Sequence, residues 1–125
     1  MATVLVVEDE FGIAELFNSI LTDEGYQVLT AINGMHALEV LAKERADLVF
    51  TDYMMPVLDG AGLLLAMADD PELHGIPIVM MSSLSEAAVA ERCSGYVTFM
   101  QKPFKIDKII EVAEQFLITP GEIGL

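Results

Sequence analysis

The chain has 125 residues, of which 54% are hydrophobic, and 20 acidic residues against 6 Lys and Arg give it a formal net charge of -14 at pH 7. This length and hydropathy fit one domain with a single hydrophobic core and exclude a disordered chain. The acidic excess disfavours direct binding to nucleic acid, and the lack of a membrane-length apolar run or a basic leader predicts a cytoplasmic protein without a membrane anchor.

Predicted strands and helices alternate along the chain. Short apolar runs rich in β-branched residues predict five buried strands, at residues 3–7, 27–31, 47–52, 76–82 and 96–100. Apolar residues with helical spacing predict five helices, in segments that begin near Ile13, Ala37, Leu63, Ser85 and Ile106. The alternation predicts a parallel sheet with right-handed crossovers and helices on both faces. We expect one domain over residues 1–118 and a short C-terminal tail at 119–125.

Polar residues follow four of the five predicted strands. Strand one ends in Glu8 and Asp9, strand three in Asp52 and strand four in Ser82, and strand five runs into Lys102. In the strand order 2-1-3-4-5 these four strands are consecutive neighbours, whereas the order 3-2-1-4-5 separates strand one from strand three. The pattern therefore predicts a flavodoxin-like, doubly wound α/β fold, with a five-stranded parallel sheet in the order 2-1-3-4-5 and five helices.

The predicted cluster of Glu8, Asp9 and Asp52 requires a cation. Two negative charges about 4 Å apart repel by about 4 kcal/mol at an effective dielectric constant near 20. Lys102 supplies one positive charge, and an oxygen-only donor set suits a hard divalent ion, best Mg²⁺, with Mn²⁺ as a substitute. The alternative is a carboxylate–lysine network that only closes the edge of the sheet, although burying such acids for stability alone is unfavourable.

A carboxylate, a lysine, a hydroxyl and a metal site that converge are the parts that phosphoryl transfer requires. In this interpretation Asp52 is the nucleophile and forms an aspartyl-phosphate. Lys102 and the metal neutralise the phosphoryl oxygens, and the Ser82 hydroxyl donates a hydrogen bond to one of them.

With these residues in place, the chain resembles the receiver domains of two-component response regulators over about residues 3–117. The matching motifs are VVEDE with Glu8 and Asp9, TDYMMPVLDG with Asp52, MMSS with Ser82, and QKPF with Lys102 and Pro103. The resemblance implies that Asp9 and Asp52 ligate Mg²⁺ directly, that the Met54 backbone carbonyl completes the protein ligands, and that Glu8 acts mostly through a bound water. It also implies a cis peptide bond before Pro103.

The same resemblance implies how such a chain works. A histidine kinase or a histidine phosphotransfer protein donates the phosphoryl group, and the chain is expected to be a signalling phosphoacceptor rather than an enzyme. We expect either a stand-alone receiver of the chemotaxis or phosphorelay type or a part of a longer protein. Ser82 then moves toward the phosphate and Phe99 turns inward, although Phe99 also reads as a plain core residue. Helix four, strand five and helix five form the altered surface, which an unknown downstream protein reads. We expect a monomer or a weak dimer.

Three features depart from the common receiver pattern. Residues 82–95 form a short segment, so we expect a truncated fourth helix and an unusual output face. Met54 and Leu84 are apolar at positions that could otherwise hold an attacking water, and slow self-dephosphorylation is the resulting hypothesis. Gly60 and Gly62 lie at the start of the third helix, where each costs about 1 kcal/mol relative to alanine.

Three other classes of protein are considered as alternatives, and a sequence feature argues against each. A phosphatase of the haloacid-dehalogenase class needs a second acid two residues after the nucleophile, where this chain has Met54. A flavodoxin-like electron carrier would not place the acidic loop EDEFG where a flavin phosphate binds. The third alternative is a receiver-shaped interaction module that works without phosphate, against which the complete set of acids, serine and lysine argues.

Overall fold

The computed structural model describes residues 1–117, in which strands and helices alternate as predicted. The strands β1 to β5 are Thr3–Val7, Gln27–Ala31, Leu48–Asp52, Ile78–Ser82 and Thr98–Gln101. The helices α1 to α5 are Phe11–Asp23, Gly34–Lys43, Gly60–Ala68, Glu86–Ala90 and Ile106–Phe116. No helix within these 117 residues is long and apolar enough to cross a membrane. The expected tail at 119–125 and residue 118 lie outside the described residues.

The five strands form one parallel sheet in the order β2-β1-β3-β4-β5, which confirms the predicted fold. At the carboxyl edge the register pairs Val7 with Thr51, Asp52 with Met81, and Ser82 with Gln101. The residues that follow β1, β3, β4 and β5 therefore meet along one edge of the sheet, as ligand-binding residues do in open α/β folds.

The sheet is covered on both faces. Side chains alternate along a strand, so Val4 and Val6 face one side and Leu5 and Val7 the other. The first side packs against α1 and α5, where Phe17 contacts the Phe50 ring edge-on at 5.4 Å. The second side packs against α2, α3 and α4. Because β1, β3 and β4 are buried throughout, their sequences are unbroken apolar runs rather than alternating ones.

Three strands begin one or two residues later than their apolar runs predict, and β5 ends one residue later. Pro77 shows the reason most clearly, because it lies within the predicted fourth strand but has no N–H to donate. Its carbonyl still accepts a hydrogen bond from the Val49 N–H at 3.0 Å. The ends of the strands are set by backbone hydrogen bonding, which the pattern of apolar residues does not indicate.

Helix α4 has only five residues, within a predicted helical segment of 85–93. The Ser85 side chain caps its start by accepting the Ala88 N–H at 3.2 Å. After the helix, Gly95 adopts a left-handed φ of 103°, which turns the chain into β5. The expected truncation of this helix is confirmed.

Helix α3 begins with Gly60 at a position where the chain leaves no space for a side chain. Asp59 caps the helix by accepting the Gly62 N–H at 2.8 Å. A Cβ atom on Gly60 would lie 2.5 Å from the Asp52 carbonyl oxygen and 2.9 Å from Tyr53 Cα. The helix therefore begins with glycine because the end of β3 occupies the space of a side chain.

Candidate functional site

The predicted acidic cluster forms at the carboxyl edge of the sheet. Glu8, Asp9 and Asp52 each place a carboxylate oxygen within 4.8 Å of the others. Glu8 and Asp52 are buried, whereas Asp9 is exposed. The loop after β1 and the end of β3 bring the three together because β1 and β3 are neighbouring parallel strands.

Lys102 joins the two buried carboxylates. Its Nζ atom lies 3.1 Å from Glu8 Oε2 and 3.3 Å from Asp52 Oδ2. The backbone N–H of Lys102 donates to the Ser82 carbonyl at 2.8 Å, which continues the β4–β5 pairing beyond the strand. The Lys102–Pro103 peptide bond is cis, the isomer that the resemblance implied.

The Asp52 carboxylate is held at both oxygens. Oδ1 accepts the Tyr53 backbone N–H at 3.0 Å, a donor that it shares with the Met81 carbonyl at 2.8 Å, and Oδ2 faces the Lys102 ammonium. The Thr51 hydroxyl donates to the Asp52 carbonyl at 3.0 Å. The carboxylate is thus fixed in orientation at the end of a buried strand, which suits a nucleophile that must meet its substrate in one geometry.

Ser82 lies at the end of β4, next to the residue that pairs with Asp52. Its buried hydroxyl oxygen accepts the Leu84 N–H at 3.0 Å. A hydroxyl that accepts a hydrogen bond keeps its own proton for donation. The structure therefore brings Ser82 to the same edge as the carboxylates and Lys102.

Comparison with known proteins identifies the family. The family model of the response regulator receiver domain matches residues 4–114. The chain belongs to this family. Receiver domains of two-component systems are signalling phosphoacceptors rather than classical enzymes, bind Mg²⁺ at an acidic pocket, and pair with histidine kinases or phosphotransfer proteins.

Individual relatives agree with this assignment. The receiver is similar to sporulation initiation phosphotransferase F of Bacillus subtilis (strain 168), with 35% identity over 116 residues, 91% of this chain and 92% of the relative. Among solved structures it is similar to the chemotaxis protein CheY4 of Vibrio cholerae, with 28% identity and a TM-score of 0.88 over 94% and 99% of the two chains. The signal receiver domain of a Syntrophus aciditrophicus histidine kinase gives 30% identity and a TM-score of 0.86 over 94% and 90%.

The charges of the receiver site perturb one another. Burial and then the Asp52 charge raise the pKa of Glu8 to about 7, against the opposing effect of Lys102. Burial also raises the pKa of Asp52, although Lys102 opposes this shift. Burial alone would lower the pKa of Lys102, but the two carboxylates outweigh it and raise that pKa. One lysine therefore leaves excess negative charge, which a further cation would neutralise.

The raised pKa of Glu8 predicts a pH dependence of stability. The folded state holds the Glu8 proton more tightly than the unfolded chain, whose ordinary value is 4.5, so stability falls as pH rises from about 4.5 to about 7. In cation-free buffer this loss should be about 3 kcal/mol, and Glu8→Gln should remove it. Urea unfolding of both proteins between pH 5 and 8 measures the effect, with exposed Glu111→Gln as the control. Parallel pH profiles for the wild type and Glu8→Gln would contradict it.

Two further predicted site residues are close along the chain to Asp52 and Lys102. Met54 begins the loop after β3, and its side chain is 63% exposed. Phe99 lies on β5, pairs with Met80 and is half-buried. Sequence reasoning missed Tyr96, whose ring centroid lies 6.1 Å from that of Phe99 and whose hydroxyl donates to Glu86 of α4 at 3.2 Å. An aromatic residue three positions before Phe99 was the available sequence signal.

Proposed function

We propose that this receiver accepts a phosphoryl group on Asp52 from a phosphohistidine of a histidine kinase or a histidine phosphotransfer protein. The observation that carries the proposal is the fixed Asp52 carboxylate, which Lys102 contacts at 3.3 Å and which lies in an acidic cluster with Glu8 and Asp9. The activity attributed to receiver domains and the name of the Bacillus relative, a phosphotransferase, support the same function.

The donor set fits Mg²⁺. Asp9 and Asp52 would ligate it directly, with the Met54 backbone carbonyl as a third protein ligand and Glu8 acting through water. All these donors are oxygens, as hard divalent cations prefer, and Mn²⁺ has the same preference. When bound, the ion would neutralise negative charge on the phosphoryl group during its transfer.

The protein residues carry the transfer itself. An Asp52 carboxylate oxygen attacks phosphorus, the new O–P bond forms as the N–P bond to the donor imidazole breaks, and the imidazole nitrogen keeps the bonding electrons. The Lys102 ammonium shifts from sharing two carboxylates to binding a phosphoryl oxygen. The Ser82 hydroxyl donates a hydrogen bond to another phosphoryl oxygen. Both contacts stabilise charge where it develops.

An apolar cleft beside the site supports docking of the donor. It encloses about 380 Å³, and its wall is largely made of Ile13, Leu16, Phe17, Pro103 and Phe104. Lys102 and Ser83 also line it, so the cleft is continuous with the acceptor site. A donor that buries an apolar surface there places its phosphohistidine beside Asp52.

The switch that we propose involves Ser82 and Phe99. Phosphorylation draws Ser82 toward the phosphate, and Phe99 turns inward behind it, which alters the surface of α4, β5 and α5. The half-buried ring of Phe99 and its contact with Tyr96 support this path, since Tyr96 also bonds to Glu86 of α4. A downstream protein that binds one arrangement better shifts the population toward it.

Phosphoryl acceptance is tested by incubating the protein with Mg²⁺ and acetyl phosphate and measuring its intact mass. The wild type should gain one phosphoryl group, with Mn²⁺ able to replace Mg²⁺, and Asp52→Asn should gain none. Asparagine retains the oxygen that accepts the Tyr53 N–H, so the variant is a matched control. No gain by a wild type that binds Mg²⁺ would instead favour the phosphate-independent interaction module.

We predict slow loss of the phosphoryl group once it is attached. Met54 and Leu84 lie exposed at 63% and 40%, and neither side chain can hold an attacking water. The phosphorylated protein should persist for minutes or longer, and Met54→Asn should shorten its lifetime by about tenfold, because an amide can orient water. The decay of phosphorylated mass with time measures this, with Met54→Leu as the control. A wild-type lifetime of seconds would refute the prediction.

A further inference from the structure

The loop between β3 and α3, residues 53–59, contains a strained turn. The Leu58 N–H donates to the Pro56 carbonyl at 2.8 Å, which closes a three-residue γ-turn around Val57. Val57 has a φ of 71°, a conformation that is rare for β-branched residues. This form of the γ-turn is strained, so other contacts must hold the loop in place.

Leu58 makes those contacts. Its carbonyl accepts the Gly34 N–H at the start of α2, at 2.9 Å. A Cβ atom on Gly34 would lie 2.6 Å from that carbonyl oxygen, and one on Gly62 would lie 2.4 Å from Leu58 Cδ1. Leu58 is therefore wedged between α2 and α3. It occupies space that a side chain at position 34 or 62 would fill, which explains the two glycines.

Met54 and Met55, in the first half of the loop, are held by the residues that flank them and by the packing of Met55. Within residues 1–117, no hydrogen bond fixes Met54 or Met55. The Gly60 N–H donates to the Tyr53 carbonyl at 2.8 Å and holds the base of the loop. Asp59 and Leu58 hold its second half through hydrogen bonds to Gly62 and Gly34, and the Met55 side chain packs against the hydrophobic core. The backbone around Met54 is thus held by the hydrogen bonds of Tyr53 on one side and, on the other, by the packed Met55 side chain and the turn that ends in Leu58.

We propose that Leu58 is a positioning residue for the metal site: wedged between Gly34 and Gly62, it holds the strained turn and so places the Met54 carbonyl toward the carboxylates. The inference rests on the proposed function, because that function makes the Met54 carbonyl a ligand. It extends the site to α2, which contributes no ligand of its own.

The test measures the Mg²⁺ dissociation constant by calorimetry and, separately, the unfolding temperature in EDTA. Leu58→Ala should weaken Mg²⁺ binding by about tenfold, the usual effect of losing a residue that orients a ligand. Leu58→Met, which refills the space, should restore most of the affinity. Gly75→Ala is the control, since a Cβ atom there meets nothing within 4 Å.

Two glycine variants test the wedge from the other side. Gly34→Ala forces a new Cβ against the Leu58 carbonyl and should also weaken Mg²⁺ binding by about tenfold. Gly62→Ala collides with the Leu58 side chain, whereas in Leu58→Ala that side chain is gone. In the double variant Leu58→Ala/Gly62→Ala, the loss of Mg²⁺ affinity should therefore be smaller than the product of the losses measured for the two single variants.

The outcomes separate the two proposals. A wild type that does not bind Mg²⁺ would overturn the proposed function and the inference together. A wild type that binds it, with unchanged affinity in Leu58→Ala and Gly34→Ala, would overturn the positioning role alone. If Leu58→Ala lowers the unfolding temperature in EDTA but leaves the Mg²⁺ affinity unchanged, Leu58 only stabilises the fold, and the inference is likewise overturned.

Discussion

Replacing Lys102 with methionine is expected to lower the free energy of unfolding by about 3–5 kcal/mol near pH 8 in the absence of divalent cations. The ammonium contacts Glu8 at 3.1 Å and Asp52 at 3.3 Å, and both carboxylates are buried. Without it the two buried carboxylates lose their ammonium partner, so they must either repel each other or bind a proton at a free-energy cost. Removing one partner of a buried ion pair costs more than the pair itself contributes, because the remaining charge is stranded.

The Lys102→Met effect should depend on pH. The pKa of Glu8 is already raised to about 7, and losing the lysine raises it further. Near pH 5 Glu8 then carries a proton in the folded state, and much of the repulsion disappears. Urea unfolding at both pH values measures this difference. Added Mg²⁺ should also recover stability near pH 8.

Lys108→Met is the matched control. Lys108 approaches Glu111 at 3.9 Å, and both side chains are largely exposed, so its loss should change stability by less than about 0.5 kcal/mol. Should Lys102→Met cost the same at both pH values, the alkyl chain of Lys102 rather than its charge would account for the stability.

The second large effect is expected for Gly60→Ala, which should destabilise the protein by about 3 kcal/mol. The added Cβ would lie 2.5 Å from the Asp52 carbonyl oxygen and 2.9 Å from both Tyr53 Cα and Met80 Sδ. The first two are backbone atoms that cannot rotate away. Because they belong to Asp52, the proposed phosphoacceptor, and to Tyr53, whose N–H contacts the Asp52 carboxylate, acetyl phosphate should also modify the variant more slowly.

Gly12→Ala provides the comparison for Gly60→Ala. Gly12 also lies in the first turn of a helix, but a Cβ atom there meets nothing within 4 Å. This variant should be stabilised by up to about 1 kcal/mol, because alanine favours the helix. Thermal unfolding of both variants, with phosphorylation rates followed by intact mass, separates the two cases. Equal stabilisation by both substitutions would disprove the close approach at Gly60.

Much of the fold could be predicted because its physical cause is visible along the sequence. Strands covered on both faces require unbroken apolar runs, and such runs marked β1, β3 and β4. The edge strands β2 and β5 were also located by their apolar residues, but they are partly exposed rather than buried as predicted. The strand order followed from the requirement that Glu8, Asp52 and Lys102 share one edge, which the structure satisfies through ion pairs at 3.1 and 3.3 Å. Polar residues at strand ends therefore located both the sheet topology and the carboxylate cluster.

The contacts around the β3–α3 loop could not be predicted in this way. Leu58 reads as an ordinary apolar loop residue, and its place between Gly34 and Gly62 depends on two helices meeting in three dimensions. The left-handed conformation of Val57 runs against its local preference, so tertiary contacts must impose it. The Tyr53 N–H that orients Asp52 is a backbone group, which no side-chain pattern reports.

The strand order 2-1-3-4-5 bears on how the chain can assemble as it is synthesised. The strand made first, β1, lies inside the sheet, with β2 on one side and β3 on the other. Each later strand, β4 and then β5, pairs with the free edge of the strand made before it. No strand has to insert between two that are already paired, so the sheet can grow outward from the N-terminus in the direction of translation.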